Sequence, residues 1–245
     1  MNVVINELLA PLAVLWVVFM AVVALAIYLM LGGAGKRMRR VREEISPRFL
    51  RGTVSSLLPW SPQHGLADLS SLCRGQAEMS ALGGTTYHAR GTMQSQSQSA
   101  MAWLAYTVNI RRRQGTVILH TSANELVAEV DAERDRTATV RVDGRPFGTV
   151  RMRTGEMADL LGRPVGRLSR GKAVTIYGMT NYRDVELNGR RVAEINGNIL
   201  HLGQRLGPSP PAFRLHDADL SCEEVWWLLA LLALELYFDR NRLLI

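Results

Sequence analysis

The chain has 245 residues, of which 47% are apolar and 21% charged, a composition that is typical of globular proteins and excludes a wholly disordered chain. Much of the net charge of +7 comes from residues 36–51, where seven basic residues accompany two acidic ones. From Gly52 onward there are 22 basic and 19 acidic residues. This near balance argues against a nucleic-acid-binding domain, which carries a concentrated basic surface.

The N-terminal segment, residues 1–35, contains 24 consecutive uncharged residues from Leu8 to Leu31. A helix over this run spans about 36 Å, enough to cross a bilayer. Glu7 precedes the run and the basic cluster follows it, which is the reverse of the order in a signal peptide. The sequence therefore predicts a transmembrane helix over residues 8–31. Its aromatic residues are predicted partner contacts: Trp16, Phe19 and Tyr28.

Residues 36–51 form a basic juxtamembrane segment. The positive-inside rule then places the N-terminus outside and the rest of the chain in the cytoplasm. The same side chains would attract anionic lipid headgroups: Lys36, Arg37, Arg39, Arg40 and Arg42. Because only two of the 29 basic residues are lysine, as GC-rich coding sequences favour, we expect a bacterial inner membrane, either cytoplasmic or intracytoplasmic.

Residues 52–100 are predicted to be an irregular, extended linker. Prolines and glycines interrupt its short apolar pieces, and residues 94–99 are a polar, low-complexity stretch. About 50 residues are too many for a structureless loop inside a compact domain. We therefore expect a neighbouring protein to order this linker, with Trp60 as a candidate partner contact.

Residues 101–245 have the short alternating apolar runs of β-strands. The predicted strands cover residues 103–110, 116–121, 125–131, 137–142, 148–153, 173–178, 183–187, 191–196 and 212–217. Asp143-Gly144 and Asn188-Gly189 lie between such runs, as in hairpins whose tight turns need two positive φ angles. The sequences around these two turns follow one template, which indicates a repeated meander.

A hydrophobic helix is predicted over residues 222–238. Ser221 is a suitable N-cap, and Glu223 and Glu224 lie in the first turn, near the positive end of the helix dipole. The uninterrupted apolar stretch, Val225–Leu234, has ten residues, too few to span a membrane, and it is apolar on every side. The sequence favours a helix in the centre of the β domain, and a second membrane span over residues 225–238 stays open as an alternative.

Motifs for catalysis are incomplete. Gly166–Ala173 has the spacing of a phosphate-binding loop, but Ala173 replaces the hydroxyl residue and an apparent strand follows where a helix is required. The five histidines are scattered, and Cys73 and Cys222 lie far apart, so neither type indicates a metal motif. We predict a protein that is not an enzyme, with no catalytic, cofactor or metal site and no small-molecule substrate.

The arginine triplet at positions 111–113 admits two interpretations. The guanidinium groups of Arg111, Arg112 and Arg113 suit contacts with phosphate or with acidic residues of a partner. The triplet is also compatible with a solvated turn between two strands, so both interpretations stay open.

The segments VRVDGRPFGTVRM, VELNGRRVAEING and EEVWWLLALLALELYF, spread over residues 103–239, resemble the tubby-like fold, in particular its LURP-one and phospholipid-scramblase-related branch. The resemblance implies a closed β-barrel around a buried hydrophobic C-terminal helix. It also implies a place near membranes, since several members bind phosphoinositides or are linked to lipid movement. The family's lipid-binding residue pair has no counterpart here, and scramblases carry their membrane helix at the C-terminal end.

Two functions remain. The first is a structural accessory subunit that docks on other subunits of a membrane complex through its helix, linker and cytoplasmic β domain. This plan is similar to that of the H subunit of purple-bacterial photosynthetic reaction centres, so a reaction centre–light-harvesting assembly is one candidate complex. The alternative is a tubby-like protein that binds or senses anionic lipids at the cytoplasmic surface.

Overall fold

The computed structural model describes residues 52–61, 66–82, 86–95, 102–111, 114–131, 137–169, 182–197, 210–217 and 219–241. The predicted transmembrane helix and basic segment lie outside these ranges, as does the predicted strand at residues 173–178. Within the ranges, no helix is both long enough and apolar enough to span a bilayer.

Two helices flank or fill a twelve-stranded sheet, and residues 52–54 add a further helical stretch in the described part of the chain. The helices are α1 (Leu66–Ser71) and α2 (Cys222–Asn241). The first six strands are β1 (Leu72–Leu82), β2 (Thr86–Ser95), β3 (Ala102–Arg111), β4 (Gln114–His120), β5 (Glu125–Asp131) and β6 (Thr137–Val142). The other six are β7 (Arg145–Arg151), β8 (Glu156–Asp159), β9 (Pro164–Leu168), β10 (Tyr182–Leu187), β11 (Arg190–Asn196) and β12 (Phe213–Leu215).

The sheet is a nearly closed antiparallel barrel. Each strand pairs with the next one along the chain, in the order β1 to β12. The amide of Ala212, just before β12, donates a hydrogen bond of 2.6 Å to the carbonyl of Leu72 at the start of β1, so the two edges of the sheet meet there. The prediction of a mainly-β, barrel-like domain with a C-terminal helix is confirmed.

Alternate hairpins lie at the same end of the barrel because every strand runs antiparallel to its neighbour. We call one end the rim; it carries the turns at residues 121–124, 143–144, 160–163 and 188–189. Both predicted tight turns are found there: φ is 50° and 73° at Asp143 and Gly144, and 53° and 77° at Asn188 and Gly189. Asparagine, aspartate and glycine tolerate this left-handed region, which explains why these dipeptides predicted the hairpins correctly.

Helix α2 fills the interior of the barrel. Its side chains from Trp227 to Tyr237 are at most 1% exposed, and they pack against the inward-facing residues of strands that include β3, β4, β5, β6 and β11. A helix that is apolar on every side is stable only when it is surrounded. Of the two alternatives for residues 225–238, the structure therefore shows the helix in the core of the barrel.

The prediction of an irregular linker over residues 52–100 is wrong where the structure describes it, because α1, β1 and β2 occupy much of that range. In β2 the inward-facing residues include Ala89, Gly91 and Met93, which lack the β-branched character that marks a strand in a sequence. Strands β8 and β9 were also missed, since they have only four and five residues and β9 begins with a proline. Trp60, predicted to contact a partner, is only 5% exposed and packs on Trp226 of α2.

A buried ion pair joins α2 to the barrel wall. Glu235 is fully buried, the side chain of Arg183 on β10 is 13% exposed, and Nη2 of Arg183 contacts Oε1 of Glu235. A charge in such surroundings is tolerated when its counterion is close. The pair therefore ties one turn of the helix to one position on the wall.

We expect Glu235→Leu to lower the free energy of unfolding by about 3–5 kcal/mol, because it removes the carboxylate beside the buried guanidinium. The double variant Arg183→Met/Glu235→Leu is the matched control and should recover much of that loss. Urea unfolding of the full-length chain in mild detergent, followed by tryptophan fluorescence, measures both. Additive losses in the double variant would show that the two groups are not coupled.

Close contact between β7 and α2 requires a glycine at position 148. A Cβ atom added there would lie 2.5 Å from the carbonyl oxygen of Ala158 and 2.5 Å from Cη2 of Trp227. Neither neighbour has space to move, because one is backbone and the other is a buried ring.

We therefore expect Gly148→Ala to lower the free energy of unfolding by about 1–3 kcal/mol through overpacking. Gly52→Ala is the control, since a Cβ at Gly52 meets no atom within 4 Å. Thermal unfolding followed by circular dichroism compares the two variants, and equal melting temperatures would contradict the close contact.

Candidate functional site

A polar network on the rim holds the N-terminus of α2. The Ser221 hydroxyl accepts a hydrogen bond of 3.2 Å from the Glu224 amide, and Glu224 Oε2 accepts one of 2.8 Å from the Ser221 amide. This is a capping box, which satisfies two of the free amides at a helix start. The predicted N-cap is thus confirmed.

Two residues of the β10–β11 hairpin complete this network. Nη2 of Arg190 donates to Glu224 Oε2 at 2.8 Å, and its Nη1 contacts Asp217. The side-chain amide of Asn188 donates to Glu224 Oε1 at 3.0 Å. Burial by itself raises the pKa of Glu224, but the hydrogen bonds from Ser221, Asn188 and Arg190 together hold that pKa below the ordinary glutamate value.

A second feature of the rim is the turn between β8 and β9, which we call the leucine turn (residues 160–163). Among the described residues, large apolar side chains are exposed only here: Leu160 is 63% exposed and Leu161 is 78% exposed. Burying one leucine side chain stabilises a protein by about 1.5–3 kcal/mol. The fold leaves this stabilisation unused at two adjacent positions, which is typical of a contact surface.

The side chain of Asp159 fixes the shape of the leucine turn. Its Oδ1 accepts hydrogen bonds of 2.9 Å from the amides of Leu161 and Arg163, and its Oδ2 accepts one of 2.7 Å from Nε of Arg163. Gly162 supplies the positive φ of 76° that closes the turn. The leucines are therefore presented on an ordered backbone, and Asp159 is neutralised by Arg163.

A charged network, which we call the charged face, covers the outside of β10, β11 and β12. Asp184 and Glu194 are directly opposite each other in the ladder, as are Glu194 and Arg214. Like charges in opposed positions repel, but Arg191 contacts Asp184 and reaches Glu194 at 2.6 Å. Arg214 lies 3.6 Å from Glu194. The result is a surface with closely mixed signs.

Three side chains of this face have the chemistry of metal ligands. Donor atoms of Asp184, Glu194 and His216 lie within 4.8 Å of one another. Both carboxylates already contact arginine, however, and Nε2 of His216 is 3.8 Å from Glu194. A cation would have to displace Arg191, so the arrangement fits polar contacts with another molecule better than a metal centre.

Most of the residues predicted to bind lipid or partners lie outside the described part of the chain: Trp16, Phe19, Tyr28, Lys36, Arg37, Arg39, Arg40, Arg42, Arg112 and Arg113. Arg111 ends β3, opposite Gln114 of β4 and at the end of the barrel away from the rim. The leucine turn was not predicted from the sequence. Its signal was an aspartate three residues before a glycine, with two leucines between them.

Comparison with known proteins gives no match to a family model, a curated protein or a solved structure.

The contacts of Glu224 in the rim network predict that the stability of the fold depends on pH. The pKa of Glu224 is lowered in the folded protein, so its ionised form stabilises the fold above the ordinary glutamate pKa of about 4.3. That contribution is lost as the pH falls through the lowered pKa of the folded state. We expect Glu224→Gln to be less stable than the unchanged chain at neutral pH, and the difference to disappear in acid.

Glu223→Gln is the matched control, because Glu223 is exposed on the same helical turn. Urea unfolding over a pH series measures all three chains. A stability difference for Glu224→Gln that does not change with pH would contradict a stabilising role of the ionised Glu224 carboxylate.

Proposed function

We propose that this chain is a non-catalytic accessory subunit that docks on a larger complex at a bacterial inner membrane. Its predicted N-terminal helix would insert beside other membrane helices, and its barrel would be a rigid platform on the cytoplasmic side. An energy-transducing assembly such as a reaction centre–light-harvesting complex is one candidate. The domain itself we propose to be a divergent tubby-like barrel, since twelve sequential antiparallel strands surround a hydrophobic C-terminal helix.

One observation carries this proposal: α2 occupies the interior of the barrel with side chains that are at most 1% exposed from Trp227 to Tyr237. Other molecules therefore meet the outer faces and the rim. The charged face suits a polar protein contact, in which complementary charges fix register and orientation.

A second candidate function, binding of anionic lipid, is favoured by a different observation. The two exposed leucines lie on the rim, close to the exposed guanidinium of Arg145 at the start of β7. Apolar and cationic groups together are the combination that binds membrane surfaces.

The accessory role predicts co-migration with a complex. After native membranes are solubilised in mild detergent, an immunoblot across a sucrose gradient should find this chain beside a large complex, which the absorbance spectrum and composition of those fractions identify. Migration of the chain alone, at the size of a detergent-bound monomer, would contradict the proposal.

Charge reversal on the charged face tests which surface docks. We expect Arg214→Glu to reduce the co-migrating fraction, because it places two like charges together at the proposed contact. Arg141→Glu on β6 is a closely matched control: Arg141 is 47% exposed and Arg214 56%, and each lies 3.6 Å from a glutamate on a neighbouring strand. Melting temperatures of both variants exclude unfolding as the cause, and equal retention would place the docking surface elsewhere.

A further inference from the structure

The surroundings of the leucine turn on the rim are apolar and cationic. Asp159 pairs with Gly148, which places the turn beside the first residues of β7, where Arg145 and Pro146 are exposed. Pro164 follows the turn and is exposed as well. These residues extend the apolar area around the two leucines and set an arginine at its edge.

The charges near this turn leave a cation available. Arg163 is paired with Asp159 at 2.6 Å. Asp143 is occupied by hydrogen bonds of 2.8 Å from the Glu125 amide and the Asn124 side chain. Within the described part of the chain, Arg145 takes part in none of the ion pairs, so its guanidinium group is free for an external anion.

Residues 58–60 lie on the same rim. The Leu58 amide donates to the carbonyl of Ala102 at 2.9 Å, and the Trp60 amide donates to the Ser122 hydroxyl at 3.0 Å. Ala102 starts β3 and Ser122 lies in the β4–β5 turn, so both partners are at the rim end of their strands.

We propose that the leucine turn inserts into the headgroup and upper acyl region of an anionic bilayer, with Arg145 at the lipid phosphates. The inference rests on the proposed membrane association of this chain, but not on the identity of any partner complex. Two exposed leucines on an ordered turn match the shallow insertion of an interfacial anchor, and the neighbouring Arg145 reaches phosphate while its alkyl part lies against apolar groups.

The test uses the full-length chain in lipid nanodiscs. In a Cys73→Ser/Cys222→Ser background, which removes both free cysteines, Leu161→Cys carries an environment-sensitive fluorophore. In discs of phosphatidylglycerol and phosphatidylcholine, we expect a blue shift and strong quenching by a lipid nitroxide placed near the top of the acyl chain. The quenching should fall several-fold in discs of phosphatidylcholine alone, and also when Arg145→Glu is added.

Arg153→Cys is the matched label control, because Arg153 is exposed in the β7–β8 turn at the opposite end of the barrel. A label at position 161 that stays in water, or equal quenching at positions 153 and 161, would overturn the proposal. Protection of position 161 in native membranes but not in the discs would also overturn it and would indicate a protein partner. Insertion that does not depend on phosphatidylglycerol would overturn the claim that the turn prefers an anionic bilayer.

A separate variant distinguishes this proposal from the accessory role. With the label moved to Pro164→Cys, which is exposed just after the turn, Leu160→Ser/Leu161→Ser should abolish quenching by the lipid nitroxide, while co-migration in detergent is retained. If the chain with both leucines co-migrates with a complex but its turn does not contact lipid, only the lipid proposal is contradicted. Lipid contact without co-migration would remove only the accessory role.

Discussion

The enclosure of α2 is the constraint on which the rest of this structure depends. A helix with the buried side chains of Trp227, Leu228 and Leu229 on different sides has no face that water can cover, so twelve strands surround it. The wall adapts to the helix where large rings point outward: Gly148 lies against Trp227 and Gly115 against Tyr237. Burial of apolar surface on the helix and on the inner wall thus forms one continuous core.

Two charged contacts then give the helix a defined position inside an otherwise uniform apolar environment. Apolar contacts alone tolerate sliding and rotation, whereas an ion pair is satisfied in one arrangement only. Arg190 holds Glu224 near the start of α2, and Arg183 holds Glu235 three turns later. We infer that these pairs set the register of the helix, with β10 and β11 supplying both arginines.

Because α2 fills the barrel, other molecules can contact only its outside, where the described residues form two different surfaces. The charged face on β10 to β12 has closely mixed signs and suits a polar contact with protein. The leucine turn on the rim is apolar and suits the boundary between headgroups and acyl chains. Both lie on the wall of one barrel, so the fold holds them in a fixed relation to each other.

The sequence by itself determined the local features: the hairpins at Asp143-Gly144 and Asn188-Gly189, the strands at 125–131 and 137–142, and a capped apolar helix after Ser221. These follow from backbone conformation and from short-range periodicity. The tertiary structure alone decided that β1 and β2 join the barrel, because the small inward-facing residues of β2 do not mark a strand in the sequence. It also paired Glu235 with Arg183 and left Leu160 and Leu161 exposed, since ion pairing and burial depend on which distant segments meet.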